Sequence, residues 1–99
     1  MSPRKEIIQA RLPVTFFKEG ETFIVYSPVL DLSSCGSTFE SARKNFNEAL
    51  TLFFDSCLKH DTLDEALELL GWQLSRDNQW EPPVVVGQES LPVAVPAHN

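Results

Sequence analysis

The chain has no run approaching about 18 apolar residues, the length that marks a membrane-crossing helix. Its opening stretch, MSPRKEIIQA, carries positive charge but no apolar core, so the sequence predicts no signal peptide and a cytoplasmic location. Cysteine is scarce. Cys35 and Cys57 form no CxxC pair, and no histidine stands at metal-ligand spacing from them. The expectation is two buried thiols in a reducing compartment. Glycine is scarce as well. Gly20, Gly36, Gly71 and Gly87 each stand alone, so there is no phosphate-cradling loop, and GxSxG and HExxH are absent too. The only histidines are His60, at an expected helix end, and His98, in the tail. A catalytic histidine needs an orienting partner and a pocket, and neither position promises them. Positive charge is in deficit, with 8 Lys and Arg against 14 Asp and Glu and a net charge of −6. Such a surface repels phosphate backbones, which disfavours direct nucleic-acid binding by this chain alone and suits a basic protein partner. The plainer meaning of the same charge is solubility.

What is present is enough apolar material for one domain: 42% hydrophobic residues, seven of them Phe, in 99 positions. The organising stretch is Gly36 to Lys59. Phe39, Ala42, Phe46, Ala49, Leu50, Phe53 and Cys57 recur at steps of three and four, the stripe by which a helix buries one face. Ser37 or Thr38 can serve as N-cap, and Ser37 with Glu40 has the spacing of a capping box. Phe54 and Leu58 widen the stripe, which predicts contact with a second element besides a sheet.

Before this helix, Glu6 to Phe17 alternates with period two, placing Ile8, Ala10, Leu12, Val14 and Phe16 on one face. Pro13 has no N–H to give and implies an edge or a break. Lys18 to Glu21 is a turn, and Thr22 to Ser27 is a second strand, so the two form a hairpin. A short third strand is expected around Ser33 to Cys35. After the helix, Thr62 with Glu65 suggests a second capping box. Leu63, Ala66, Leu67 and Leu70 form a short stripe, and Gly71 is a natural left-handed terminator. Trp72-Gln73-Leu74 reads as a fourth strand, with a turn at Arg76 to Asn78. The fold class is therefore α+β: an antiparallel sheet of three to four strands packed on one long helix plus a short helix, in the order βββααβ.

Beyond Pro83 the composition changes. Val84, Val85, Val86, Val93 and Val95 lie in two short apolar runs broken by prolines, so residues 1–83 read as the domain and 84–99 as an extended arm or strand. A Val-rich strand left unpaired invites aggregation, so pairing is expected, within its own sheet or on another subunit.

No constellation reads as catalytic. Glu48 and Asp55, seven apart on a helix, stand about 10 Å apart along its axis, too far to clamp one ion. The plain meaning of the carboxylates is a solvated acidic face. Trp72 and Trp80 lack the surrounding cations of a base-stacking platform and read as core or interface residues.

Phe17 to Val25, then Ser27-Pro28-Val29-Leu30-Asp31-Leu32, resemble the opening of HicB-like antitoxins. The Gly36-Ser37-Thr38 step into a helix bearing Ala42, Asn45, Ala49 and Leu50 is similar to that family, as is the close at Leu63, Leu70, Gly71 and Trp72. The resemblance covers residues 7 to 83. It departs where Glu40-Ser41-Ala42 replaces the family's frequent Glu-Glu-Ala. Only 16 residues follow Pro83, fewer than the DNA-binding modules many members carry. The resemblance implies a degenerate ribonuclease-H-like sheet and no cofactor or metal. It also implies a HicA-type partner, a small basic mRNA-cleaving toxin covered by steric and electrostatic means, not by catalysis. Asp31, Glu40, Glu48 and Asp55 are then the candidate partner contacts. Two other readings stand beside it: a solitary homo-oligomer, dimer or tetramer, joined through the valine arm, and a metal-dependent nuclease built on the same sheet.

Overall fold

A computed structural model describes residues 10–98. The expected beginning of the first strand, before Ala10, lies outside the described residues. Within them β1 runs Thr15–Glu19, later than the period-two pattern suggests, and residues 10–14 approach it as irregular chain. Pro13 supplies the reason, because it cannot donate to a ladder.

Gly20, at φ +61°, occupies the first position of the two-residue connection to β2 (Thr22–Ser27). Glycine at that site is the pattern of a type II′ hairpin turn, whose twist matches the strands. β3 (Leu32–Gly36) pairs antiparallel with β2, so the sheet has the order β1-β2-β3 with β1 and β3 at its edges. The register sets Phe16 against Val25 and Val25 against Ser34 on one face, and Phe17 against Ile24 and Ile24 against Cys35 on the other.

The first of these faces carries the long helix α1 (Phe39–Lys59). Val25, Ala42 and Phe46 are buried together, with Phe23, Leu32 and Leu50 packed around them. Gly36 makes this approach possible. A Cβ there would lie 2.6 Å from the Ala42 nitrogen and closer still to the Ser41 hydroxyl. The cap is not the expected Ser37–Glu40 pair. Thr38 Oγ1 accepts from the Ser41 N–H, and Ser41 Oγ accepts from the Thr38 N–H, each at 3.0 Å. The extended Thr38 backbone puts Ser41, not Glu40, at the reciprocal position.

At its far end α1 closes with Asp61 at φ +55°. The Thr62 N–H bonds the Cys57 carbonyl at 2.9 Å and the Asp61 N–H bonds that of Leu58 at 3.3 Å. This is a Schellman closure with aspartate in the position glycine usually takes. α2 (Leu63–Leu69) follows at once. Its Thr62 N-cap makes no side-chain cap bond, so the second capping box does not form: with Asp61 left-handed, Thr62 adopts φ −116°, ψ 9°, not the extended cap conformation. The predicted terminator does its work. Gly71, at φ +89°, lets the Trp72 N–H reach the Leu67 carbonyl at 2.9 Å.

A second cluster forms where the β2–β3 turn meets α2. Val29, Leu30, Leu67 and Trp72 are buried, and Leu12, Phe53, Phe54 and Leu63 pack against them. Trp72 Nε1 donates to the Val29 carbonyl at 2.8 Å, which fixes the turn to the chain after α2. Trp72 is thus a core residue, not the start of a strand. The remaining strand signal is a small ribbon of its own. β4 (Gln73–Leu74) pairs with β5 (Trp80–Glu81), and neither joins the main sheet. Residues 82–98 form no helix or strand, so the valine runs do not extend the main sheet.

Candidate interaction surface

The four predicted acidic contacts do not form one patch. Glu40, Glu48 and Asp55 lie along the exposed side of α1. Their row is diluted by Arg43 and Lys44, which line the same shallow, roughly 660 Å³ depression with Glu40 and Glu48. Asp31 sits elsewhere, at φ +49° in the β2–β3 turn, and its Oδ1 accepts from the Tyr26 hydroxyl at 3.1 Å. Tyr26 alternates with the buried Val25 and Ser27, so the pair stands on the sheet face turned away from α1. The hydrogen bond, with burial and the carboxylate's charge adding to it, raises the Tyr26 pKa from 10.0.

A more uniform acidic surface lies on α2, which the sequence reading left out. Asp64, Glu65 and Glu68 share its solvent side, next to Asp61, and all four are exposed. No cation interrupts this run in the sequence, whereas α1 interleaves both signs. Asp64 is also tied to the ribbon, since Trp80 Nε1 donates to its Oδ1 at 3.1 Å. The signal was in the sequence as four carboxylates between residues 61 and 68. Their shared side becomes clear only once Leu63, Ala66 and Leu67 are seen to face inward.

Among the described residues no helix covers the sheet face opposite α1. Phe17 is 49% exposed there, beside Ile24, Tyr26 and Cys35. Cys35 is exposed and only Cys57 is buried, because the alternation of β3 turns Cys35 outward. At the β1 edge, Phe16 and Phe39 stack with ring centroids 4.5 Å apart. Arg43 lies 4.9 Å from the Phe39 ring, and Lys18 lies 5.5 Å from that of Phe23. These cations cover aromatic surface left open beside the sheet and the start of α1. Leu58 is likewise 48% exposed rather than packed.

The arm leaves the ribbon at Pro82 and Pro83 and passes beside the approach to β1. One groove is lined by Leu12, Pro13, Pro83 and Val85, and the next by Val14, Phe17, Tyr26, Val86 and Gln88. Farther along, Leu91, Val93 and Val95 are exposed. Among the described residues no group of three His, Cys, Asp or Glu could hold a metal ion, and no helix is long and apolar enough to cross a membrane. His60 is exposed at the α1 C-cap, with Nδ1 2.9 Å from the Ser56 carbonyl oxygen. Comparison of the chain with models of known families, with curated proteins and with solved structures gave no match.

Proposed function

We propose that this chain is a non-catalytic, antitoxin-like binding domain of HicB-like, degenerate ribonuclease-H-like fold. Its partner is a HicA-type toxin, a small basic mRNA-cleaving protein. The carrying observation is the exposed, uninterrupted carboxylate run of α2 on a chain of net charge −6. A ribonuclease that grips RNA phosphates presents clustered cations. Carboxylates brought against that surface compete with the substrate and speed the encounter. Three antiparallel strands followed by a long helix support the fold assignment. The open Phe17–Ile24–Tyr26 face offers apolar area for a stable complex.

The test uses the tagged full chain to retain a small basic protein from its host. That protein is then assayed for RNA cleavage with and without added chain. Inhibition at fixed stoichiometry supports the proposal. A retained protein that cleaves no RNA, or cleaves it equally well when the chain is present, defeats it. Reversing Glu65 and Glu68 together to Lys is expected to weaken the complex about tenfold or more, and reversing Glu48 and Asp55 less, because Arg43 and Lys44 already offset that side.

A further inference from the structure

We propose that residues Leu91–Val95 of the arm form a one-sided strand that adds to the open edge of β1 in a second copy of this chain, with the exchange reciprocal about a two-fold axis. The proposal is independent of the antitoxin-like reading.

Sequence and backbone geometry carry it together. In an extended strand the N–H and C=O of a residue point to one edge, and those of its neighbours to the other. Leu91, Val93 and Val95 therefore offer donors to one edge. Pro92 and Pro96 fall on the opposite register and remove donors there. A segment written this way can pair on one side and cannot template a further strand, which is how natural sheets end. Its apolar side chains also alternate, and Leu91, Val93 and Val95 are 68%, 75% and 77% exposed in the single chain.

The acceptor is on the same molecule. β1 is an edge strand of five residues, equal in length to the donor, and among the described residues it pairs only with β2. The other edge is less open, since Asn45 Nδ2 already donates to the Cys35 carbonyl of β3 at 2.9 Å. The base of the arm forms one wall of a groove whose other wall includes Val14, Thr15 and Phe17 at β1.

Beyond that groove the arm stands off the body. The radius of gyration is 16.7 Å, against about 13 Å for a compact domain of this length, and the long dimension is 59 Å against 28 and 23 Å. A second copy fits because it brings an acceptor edge and a donor arm at once. Reciprocal exchange puts a five-residue donor and a five-residue acceptor on each copy, twice the pairing that a single arm supplies.

Two proline variants of the full chain test the polarity. Light scattering across a dilution series is expected to show a dimer with a Kd of about 1 μM or tighter. Val93→Pro removes a donor from the pairing edge and is expected to weaken the dimer about tenfold or more. Ala94→Pro removes one from the edge already blocked and is expected to leave it unchanged. Helical circular dichroism should be the same for all three, because the arm lies outside both buried clusters.

A chain that stays monomeric throughout overturns the proposal, and so do equal effects of the two prolines. To separate a neighbour's edge from the chain's own, Val93→Cys and Lys18→Cys are placed on differently tagged chains in a Cys35→Ser background and bridged with a short bismaleimide. Bridging between the two tags is expected. Bridging seen only when one chain carries both changes assigns the strand to its own sheet and overturns the exchange.

Discussion

Tyr26 is the chain's single tyrosine, so its phenolate absorbance reports one group without ambiguity. Its hydroxyl donates a hydrogen bond to the Asp31 carboxylate, and the pKa is raised from 10.0. A group whose folded pKa is raised contributes stability below its unfolded value and loses it as pH climbs through the folded one. Titration should therefore show a midpoint above 10.0 in the native chain, returning toward that value in Asp31→Asn. Gly36 has a steric duty instead. Gly36→Ala sets a methyl against the Ser41 hydroxyl and the α1 backbone, and a fall in denaturation free energy of about 2 kcal/mol or more is expected. Ser27 runs the other way. It is wholly buried, and its hydroxyl has no hydrogen-bond partner, so Ser27→Ala should leave stability unchanged or raise it by up to about 1 kcal/mol. Denaturant midpoints followed by the fluorescence of buried Trp72 measure both.

At the scale of elements, the two helix starts make a controlled pair. Both α1 and α2 have threonine at the N-cap, but only Thr38 makes the side-chain bonds. Thr38→Ala should cost about 1 kcal/mol and Thr62→Ala only a few tenths, read from the same denaturation curves. Equal losses would contradict the cap geometry. The difference arises at the join. Asp61 in the left-handed region ends α1 in so few residues that Thr62 must serve the Schellman closure as well as the next helix. Stripe and spacing showed that two helices meet here, with Gly71 ending the second. They did not show which hydroxyl caps, because Ser37, Thr38, Glu40 and Ser41 all suit a first turn and only the backbone path chooses among them. The ribbon is a similar case. Its residues have strand character, but Gln73–Leu74 and Trp80–Glu81 are too short to reach the main sheet and pair with each other.

At the scale of the whole molecule, charge and open apolar surface act over different distances. If the α2 carboxylates hold a basic partner, complex formation should weaken as salt rises, since exposed charges separated by more than a Debye length of about 8 Å are screened at physiological ionic strength. Arm exchange between copies rests on backbone hydrogen bonds and valine burial and should be nearly insensitive to the same change. Measuring both equilibria across a salt series separates the two surfaces. A basic-partner complex that holds equally well in high salt would count against the electrostatic account.

By itself the sequence determined the class of fold: the β-branched and aromatic run from Thr22 to Ser27, the stripe from Phe39 to Cys57 and the glycines at positions 20 and 71 are local signals, and local physics decides hairpins, helix faces and terminators. It also determined the acidic balance and the one-sided placement of prolines in the arm, which need no coordinates to read. The tertiary structure alone decided what lies against what. Val29 and Leu30 look like loop residues until Trp72, 43 positions after Val29, bonds the Val29 carbonyl and buries the turn. Asp31 looks like a neighbour of the helix carboxylates until the sheet separates it from them. For Val29 the deciding contact joins residues 43 positions apart, and no periodicity carries information about a partner that far away; for Asp31 it is the near bond from Tyr26 that sets the turn carboxylate on the face α1 does not cover.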